Sequence, residues 1–194
     1  TSKLEAIAGS GEIEGDLGDL TIHINVDKAA GTITISDRGI GMTEAEVKKY
    51  LNQLALSSAE EFVKKYQGKT NIIGHFGLGF YSAFMVADKV EVITRTYKKT
   101  PKAVRWVCDG NPEYEMEDHD RKERGTDIIL HISDDSKEFL EHDRIEGLLK
   151  KYCSFLPFPI RMGMKTDILW EGEGEDRKKI EEQVPNIIND THPL

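Results

Sequence analysis

Apolar and polar residues alternate in two neighbouring segments near the start of the chain, which is the pattern of strands with one buried face. Residues 20–27 and 32–36 both show this alternation, and the sequence KAAG between them is typical of a turn. The two segments therefore predict an antiparallel hairpin. Its buried face would carry Ile22, Ile24, Val26, Ile33 and Ile35.

Three further segments alternate in the same way and extend the predicted sheet: residues 89–97, 103–109 and 125–133. The stretch between the last two is polar, and we expect residues 110–124 to be exposed. Residues 157–163 contain prolines, which are tolerated at the edge of a sheet, so this segment is predicted to be a closing edge strand.

Helical spacing replaces the alternation in two parts of the chain. Thr43 and Glu46 have the spacing of a capping box, which predicts a helix over residues 44–56. A second helix is predicted within residues 142–156. The apolar faces would carry Val47, Tyr50, Leu51 and Leu54 in the first helix, and Ile145, Leu148, Leu149 and Tyr152 in the second. This order of elements predicts a two-layer α+β domain, with a mostly antiparallel twisted sheet covered on one face by helices.

The composition changes towards both ends of the chain. Residues 1–20 hold glycines among acidic residues and are predicted to be largely a loop. Residues 171–183 are highly charged and contain few apolar residues, which is typical of a linker. We therefore expect one domain over residues 1–170, followed by this linker and by the start of a middle domain at 184–194.

The chain is acidic, because 26 Lys and Arg residues stand against 35 Asp and Glu residues and give a net charge of −9. This charge disfavours a broad electrostatic contact with nucleic acid or anionic lipid. No apolar run approaches the roughly 20 residues that a membrane helix needs, and no leader with a basic start and an apolar middle is visible. We expect a soluble, cytoplasmic protein that binds neither nucleic acid nor a membrane.

The sequence offers no recognisable metal site. Cys108 and Cys153 lie far apart and fit no metal or redox spacing, so we expect buried free thiols. The histidines are scattered and form no ligand pair. We therefore predict no metal site made by the side chains of this chain.

A glycine-spaced turn, GHFGLG at residues 74–79, runs into a segment that is predicted to be an apolar helix. Its spacing is GxxGxG rather than the GxGxxG of dinucleotide-binding folds, and no GK[ST] follows as in a P-loop. Glycines still let the backbone approach phosphate oxygens, and a helix N-terminus offers unpaired N–H donors. Tight packing of a helix against a sheet is the alternative interpretation.

Asp37 follows the second predicted strand and precedes two further glycines. It could simply form a turn before Gly39. An ionised carboxylate only accepts hydrogen bonds, however, so it suits the exocyclic amino group of adenine and would repel the O6 atom of guanine. Gly39 and Gly41 would leave room for the ring, and Met42 would line its apolar face.

Residues 35–43, 73–95 and 125–132 closely resemble the N-terminal ATPase domain of the ninety-kilodalton heat-shock chaperone family in its bacterial form. The resemblance covers about residues 20–163. It implies the Bergerat ATP-binding fold of the GHKL superfamily and a stress-response chaperone that uses ATP, ADP and Mg²⁺. It also implies client proteins as partners, a homodimer in the full-length protein, and a lid over residues 52–79 that closes on the nucleotide.

The same resemblance assigns roles to individual residues. Asp37 would bind adenine, with Thr126 reaching its neighbourhood through water. Gly39, Gly41 and Met42 would border the base, and Tyr50 and Leu51 would lie near the nucleotide. The phosphates would be held by Gly74, Gly77, Leu78, Gly79 and Phe80.

The chain also departs from this family. There, a helix before the first hairpin carries a glutamate that activates water and an asparagine that holds magnesium. The corresponding ExxxNxxD pattern does not occur in residues 1–20, and Tyr50 and Leu56 stand where relatives commonly place asparagine and lysine. We therefore expect no catalytic or metal-holding residue in this chain, and no useful ATP turnover by the chain alone.

Other functions stay open. A histidine kinase, a mismatch-repair protein or a type II topoisomerase subunit would share the ATP-binding superfamily, and a module without catalysis would only hold nucleotide. A phosphoacceptor domain would support the kinase, and basic DNA-contacting segments would support the next two. Neither is visible, and residues 76–90 favour the chaperone.

Overall fold

The structure is a computed structural model that describes residues 17–52, 80, 82–99, 101–111, 113–171 and 178–189. Its strands are β1 (Ile22–Asp27), β2 (Thr32–Asp37), β3 (Ala87–Arg95), β4 (Ala103–Cys108), β5 (Glu115–His119), β6 (Gly125–Ile132), β7 (Ile160–Glu171) and β8 (Lys178–Ile187). They form one sheet in the order β5-β4-β3-β6-β2-β1-β7-β8. Every pair is antiparallel except β1 with β7.

The first predicted hairpin is confirmed, with Ile24 opposite Ile35 and Val26 opposite Ile33. Register partners continue this alignment across the sheet, because successive side chains of each strand point to opposite faces. One apolar row runs through seven strands and consists of Met162, Ile24, Ile35, Ile128, Val92, Trp106 and Met116.

Helices cover this apolar face, as predicted for a two-layer α+β fold. Helix α1 (Glu44–Val47) begins at Thr43, whose side chain forms the predicted capping box with Glu46. Helix α2 (His142–Cys153) follows a 3₁₀ turn at Asp134–Leu140. Among the described residues, the apolar helix predicted after residue 79 is instead a 3₁₀ turn, Ser82–Met85, which leads into β3. No helix in the described part of the chain is long and apolar enough to cross a membrane.

Two apolar clusters lie between the helices and the sheet. Residues of α2 pack on β1, β2 and β7, whereas Val47 and Leu51 from the α1 region pack on β3 and β4. Leu130 of β6 packs against both clusters and so joins them. Cys108 is buried, as expected, while Cys153 is only partly buried, and both are free thiols.

Two predictions for the helix faces are wrong in detail. Tyr50 is 41% exposed because Lys48–Asn52 forms a π-helical turn, whose wider spacing rotates Tyr50 away from the buried face. Tyr152 is also exposed, since α2 directs Ile145, Leu149 and Cys153, each four residues apart, towards the sheet.

Residues 110–124, which were predicted only to be polar and exposed, contain strand β5, and this strand pairs with β4 at the edge of the sheet. Only Met116 of this strand turns a side chain towards the core, so the segment shows almost no apolar alternation.

The predicted closing edge strand is β7, but β7 has β1 on one side and β8 on the other. Its prolines, Pro157 and Pro159, precede the strand and remove no hydrogen bond from it.

Residues 178–183 of the predicted linker belong to strand β8, which pairs with β7. Two hydrogen bonds join the chain after β8 to the start of β7. The Ile160 amide donates to Asn189 Oδ1 at 2.7 Å, and the Ile188 amide donates to the Ile160 carbonyl at 2.8 Å. The high charge of this segment is compatible with a strand because it lies at an exposed edge. The expected domain boundary near residue 184 stays a prediction.

A charged network centred on Glu91 lies on the opposite face of the sheet. Glu91 Oε1 accepts from His131 Nε2 at 2.6 Å and lies 3.2 Å from Lys89 Nζ. Oε2 accepts from Arg105 Nε at 2.9 Å and Nη2 at 2.5 Å, and Arg105 also reaches Glu117. Burial alone would raise the pKa of the Glu91 carboxyl, but the hydrogen bonds from Arg105, His131 and Lys89 outweigh it and lower the pKa to about 2.

Replacing Glu91 by glutamine should therefore destabilise the fold in a pH-dependent way. A lowered pKa in the folded state contributes stability above the ordinary pKa of 4.5, and this contribution is lost as the pH falls towards about 2. We expect Glu91→Gln to reduce the free energy of unfolding by about 2–3 kcal/mol at pH 7, and by less at pH 3. Denaturant unfolding at both pH values measures this, with the exposed Glu117→Gln as the control. An equal loss at both pH values would contradict the network's role.

Candidate functional site

Three polar side chains form the last row on the helix face, at one end of the central strands. Asp37 at the end of β2 is the register partner of Thr126 in β6. Thr126 is in turn the partner of Thr94 near the end of β3. The neighbouring row is apolar, with Ile35, Ile128 and Val92 in the same three strands. This polar row, Asp37–Thr126–Thr94, brings together two residues predicted from the sequence and one that was not.

The Asp37 carboxylate is partly buried and holds one hydrogen bond among the described residues. The Gly39 amide donates to Oδ1 at 2.6 Å. Burial raises the pKa of the Asp37 carboxyl, and the hydrogen bond from Gly39 and the positive charge of Arg121 offset this only in part. The site therefore keeps an acid in surroundings that disfavour its charge, an arrangement common where a polar group meets a ligand.

The loop after Asp37 is fixed to β3 by backbone contacts. The Tyr97 amide donates to the Ile40 carbonyl at 2.9 Å, and the Met42 amide donates to Thr94 Oγ1 at 3.0 Å. Gly41 has a φ of +60°, and a Cβ atom there would lie 1.8 Å from the Arg95 carbonyl oxygen. The two backbone segments come so close at this position that only glycine fits between them. The contact of Gly41 with a base stays a prediction.

Thr94 was missed by the sequence analysis. It is fully buried, and besides the Met42 amide its Oγ1 contacts the Gly125 carbonyl at 3.2 Å and Thr126 Oγ1 at 3.0 Å. The sequence signal that could have identified Thr94 is its position in β3, because Val90, Val92 and Thr94 alternate on the buried face of this strand. A hydroxyl in such a series needs partners.

Other predicted site residues lie in or near the cluster under α1. Leu51 is buried there, and Met42 packs against the same cluster. The Phe80 ring stacks edge to face on Trp106 and Phe84, with ring centroids 5.7 and 6.4 Å apart. The side chain of Phe80 is thus a packing group, and its contact with phosphate stays a prediction, as does the nucleotide contact of the exposed Tyr50.

The phosphate half of the predicted site lies outside the described residues. This applies to Gly74, Gly77, Leu78 and Gly79, and to the expected lid apart from its first residue. Their roles stay predictions.

A cavity of about 510 Å³ opens beside the ends of β1, β2 and β6, and Asp37 is one of its lining residues. Arg38 and Lys122 line it together with Glu123 and Asp127. Arg38 pairs with Glu123 at 2.8 Å, and Arg121 pairs with Asp127. His23, Ser36 and Asp127 alternate with residues of the helix face, so most of this cavity lies on the opposite face of the sheet, and it reaches Asp37 at the end of β2. Its charges largely neutralise one another, and the polar row is the more specific candidate.

One group of side chains in the described part of the chain brings together residue types that can bind a cation. His142, Asp143 and Glu146 at the start of α2 place ligand-type atoms within 4.8 Å of one another. Glu146 is also paired with Lys150 at 2.5 Å, and His142 and Asp143 are exposed. We interpret the group as a surface ion-pair cluster.

Comparison with known proteins agrees with the predicted fold class. Residues 13–136 match the family described as histidine kinase-, DNA gyrase B-, and HSP90-like ATPase. This match takes in more than half of the chain and contains Asp37, Thr94 and Thr126. The chain therefore belongs to this family of ATPases, as the resemblance implied.

The most informative relatives all carry one name. The whole of this chain aligns with the chaperone protein HtpG of Bacteroides thetaiotaomicron, and the two sequences are 57% identical. It is 55% identical to that of Bacteroides fragilis and 54% identical to that of Porphyromonas gingivalis. The chain spans 28% of the length of each of these relatives.

The close approach at Gly41 yields a test of the loop geometry. We expect Gly41→Ala to lower the free energy of unfolding by about 2 kcal/mol more than Gly31→Ala. Gly31 has a similar φ of +68°, but a Cβ atom there would meet nothing within 4 Å. The control variant therefore carries only the strain of a positive φ. Equal losses in denaturant unfolding would show that Arg95 does not press against the loop.

The raised pKa of Asp37 predicts that this residue costs stability when no ligand is bound. The folded state favours the neutral carboxyl, so the wild type loses stability as the pH rises through the folded pKa of Asp37. Asparagine does not titrate and can still accept from Gly39. We expect Asp37→Asn to be more stable than the wild type by about 1 kcal/mol at pH 7.5.

The advantage of Asp37→Asn should vanish below the ordinary pKa of 3.8. Thermal unfolding at pH 7.5 and pH 3.5 measures both values. A variant that is less stable than the wild type at pH 7.5 would contradict the account of the site.

Proposed function

We propose that this chain binds ATP and ADP as the nucleotide-binding domain of an ATP-dependent molecular chaperone that assists the folding of client proteins in the cytoplasm. The observation that carries the proposal is the partly buried Asp37 carboxylate at the head of the polar row. Membership of an ATPase family supports the nucleotide, and the shared name of the relatives supports the chaperone.

The hydrogen-bonding chemistry of Asp37 favours adenine over guanine. The Gly39 amide occupies Oδ1, which leaves Oδ2 without a hydrogen bond among the described residues. A carboxylate oxygen only accepts, so it pairs with the amino group of adenine and repels the keto oxygen of guanine. The half-buried side chains of Ile35 and Ile128 lie beside the polar row and offer an apolar surface to the flat ring.

The remaining parts of the proposal follow the family resemblance. The glycine turn at 74–79 would hold the phosphates, and a lid over 52–79 would close on the nucleotide. Mg²⁺ would be bound mainly by phosphate oxygens and water, as is usual for this ion with nucleotides. The full-length protein would act as a homodimer.

Among the alternatives in the superfamily, the names of the relatives favour the chaperone over a kinase, a mismatch-repair protein or a topoisomerase subunit.

A module that binds nucleotide without hydrolysing it is the second candidate for the isolated chain. Hydrolysis needs a base within hydrogen-bond reach of the attacking water. Asp37 is committed to the adenine end of the nucleotide in our proposal. The ExxxNxxD pattern that would supply a base does not occur in residues 1–20.

The binding proposal predicts opposite effects of one substitution on stability and affinity. In Asp37→Asn, the Gly39 amide would hold the amide oxygen, so that the NH₂ group replaces Oδ2 and faces the adenine amino group. We expect the affinity for ADP to fall about tenfold to a hundredfold, measured by isothermal titration calorimetry.

Asp127→Asn is the matched control, because Asp127 lies on the opposite face of β6 and pairs with Arg121. Its affinity for ADP should stay close to that of the wild type. Unchanged ADP affinity in Asp37→Asn would refute the assignment of the base pocket.

The proposal also predicts slow ATP turnover by this chain alone. A missing general base typically costs about 10²- to 10⁴-fold in rate. Phosphate release from the 194-residue chain should therefore fall at least 10²-fold below that of the full-length HtpG from Bacteroides thetaiotaomicron, measured under the same conditions. Equal rates would show that the chain carries a catalytic base that we have not identified.

A further inference from the structure

The outer part of the β7–β8 hairpin is a two-stranded ribbon with both faces exposed. Strand β7 pairs with β1 only through its first residues, Ile160 to Met162. Beyond them, every residue from 163 to 170 in β7 and from 179 to 183 in β8 is exposed. A ribbon of two strands is only marginally stable in water, so a further strand on its free edge would stabilise it.

This ribbon exposes large apolar side chains. Leu169 and Ile180 are register partners on one face and are 50% and 40% exposed, and Trp170 on the other face is 56% exposed. Clustered exposed apolar side chains mark contact sites. The row formed by Leu169 and Ile180 ends at the outer edge of β8, which pairs with no strand in the described part of the chain.

The charges of β8 are arranged symmetrically about Ile180. The strand begins with KKIEE at residues 178–182, so two lysines precede Ile180 and two glutamates follow it. A second β8 strand placed antiparallel, with a two-fold axis at Ile180, has each lysine position opposite a glutamate position. Paired positions in this register are an even number of residues apart or identical. Both members of each pair therefore direct their backbone groups the same way, either towards the partner or towards β7.

We propose that the outer edge of β8 is the interface of a symmetric dimer, in which it pairs antiparallel with β8 of a second copy of this chain. The pairing completes an apolar row of four side chains, Leu169 and Ile180 from each copy. On the other face, Lys179 of each copy lies opposite Glu181 of the other copy. The interface needs only residues of this chain and is independent of the proposed nucleotide binding.

Charged residues on an edge strand can also serve to prevent pairing with another chain. That protection depends on like charges meeting across the edge, whereas unlike charges meet in the register centred on Ile180. Moving the two-fold axis to Lys179 or to Glu181 would place that residue opposite its own copy. The charges of β8 therefore favour pairing and select a single antiparallel register for it.

The dimer should be weak, because the symmetric segment is short and both copies carry a net charge of −9. We expect a dissociation constant of roughly 10–100 µM. Sedimentation equilibrium of the 194-residue chain at concentrations from about 5 to 500 µM measures it. The average mass should rise with concentration from 21.9 kDa towards twice this value.

Charge reversal at either position tests the register. Lys179→Glu would place glutamates opposite each other, and Glu181→Lys would place lysines opposite each other. Each variant alone should dimerise at least about tenfold more weakly than the wild type.

An equimolar mixture of the two variants should recover association to within about threefold of the wild type, because unlike charges then meet at both positions. The wild type also has an ion pair between Lys179 and Glu181 within the strand, at 2.5 Å. This pair is broken in both variants and stays broken in the mixture, so recovery reports on contacts between the copies alone.

Lys165→Glu is the matched control. Lys165 lies 3.7 Å from Asp167 on the same hairpin, but it belongs to β7 and is remote from the outer edge of β8. Dimerisation of this variant should equal that of the wild type.

The sedimentation data separate the outcomes. A wild type that stays at the monomer mass up to about 500 µM overturns the proposal, and a segment of another protein is then the remaining candidate for this edge. Masses beyond the dimer would indicate an open, non-symmetric contact and would overturn it as well. A wild type that dimerises while the mixed variants do not would place the interface elsewhere. Loss in both single variants with recovery in the mixture supports the β8 interface.

Discussion

The register of β6 between β2 and β3 is the constraint on which the candidate site depends. It places Thr126 opposite Asp37 on one side and opposite Thr94 on the other. A shift of one residue would turn Thr126 to the other face and bring Asp127 under the helices. The start of β6 is held closely against β2: Gly125 has a φ of +120°, and a Cβ atom there would lie 2.1 Å from the Asp37 carbonyl oxygen.

The apolar rows beside the polar row allow the sheet to keep an unfavourable carboxylate. They hold the central strands in register through two clusters that share Leu130. On the opposite face, Glu91 ties β3, β4 and β6 together through its hydrogen bonds with Arg105 and His131. The strands that carry the site are thus fixed from both faces.

The fold and the position of Asp37 at the end of a strand were predictable from the sequence. The contacts that hold the candidate site in place, such as those of Thr94, were not. The alternation in β1 and β2 and the capping box at Thr43 follow local rules, and Asp37 is visible as an acid at the end of an apolar strand. Thr94 was missed because its role depends on neighbours that are distant in sequence. Strands β5 and β8 were missed for a related reason, since an exposed edge strand needs little apolar alternation and is defined by its partner. The exposure of Tyr50 results from a π-helical turn, for which the apolar spacing contains no signal.

A crystal structure of the chain with ADP tests the central claim most directly, namely that the polar row is the base-recognition site. The account predicts that the exocyclic amino group of adenine lies within about 3.2 Å of an Asp37 carboxylate oxygen, on the helix face of the sheet. Adenine bound instead in the charged cavity between Arg38 and Lys122, on the opposite face, would contradict it.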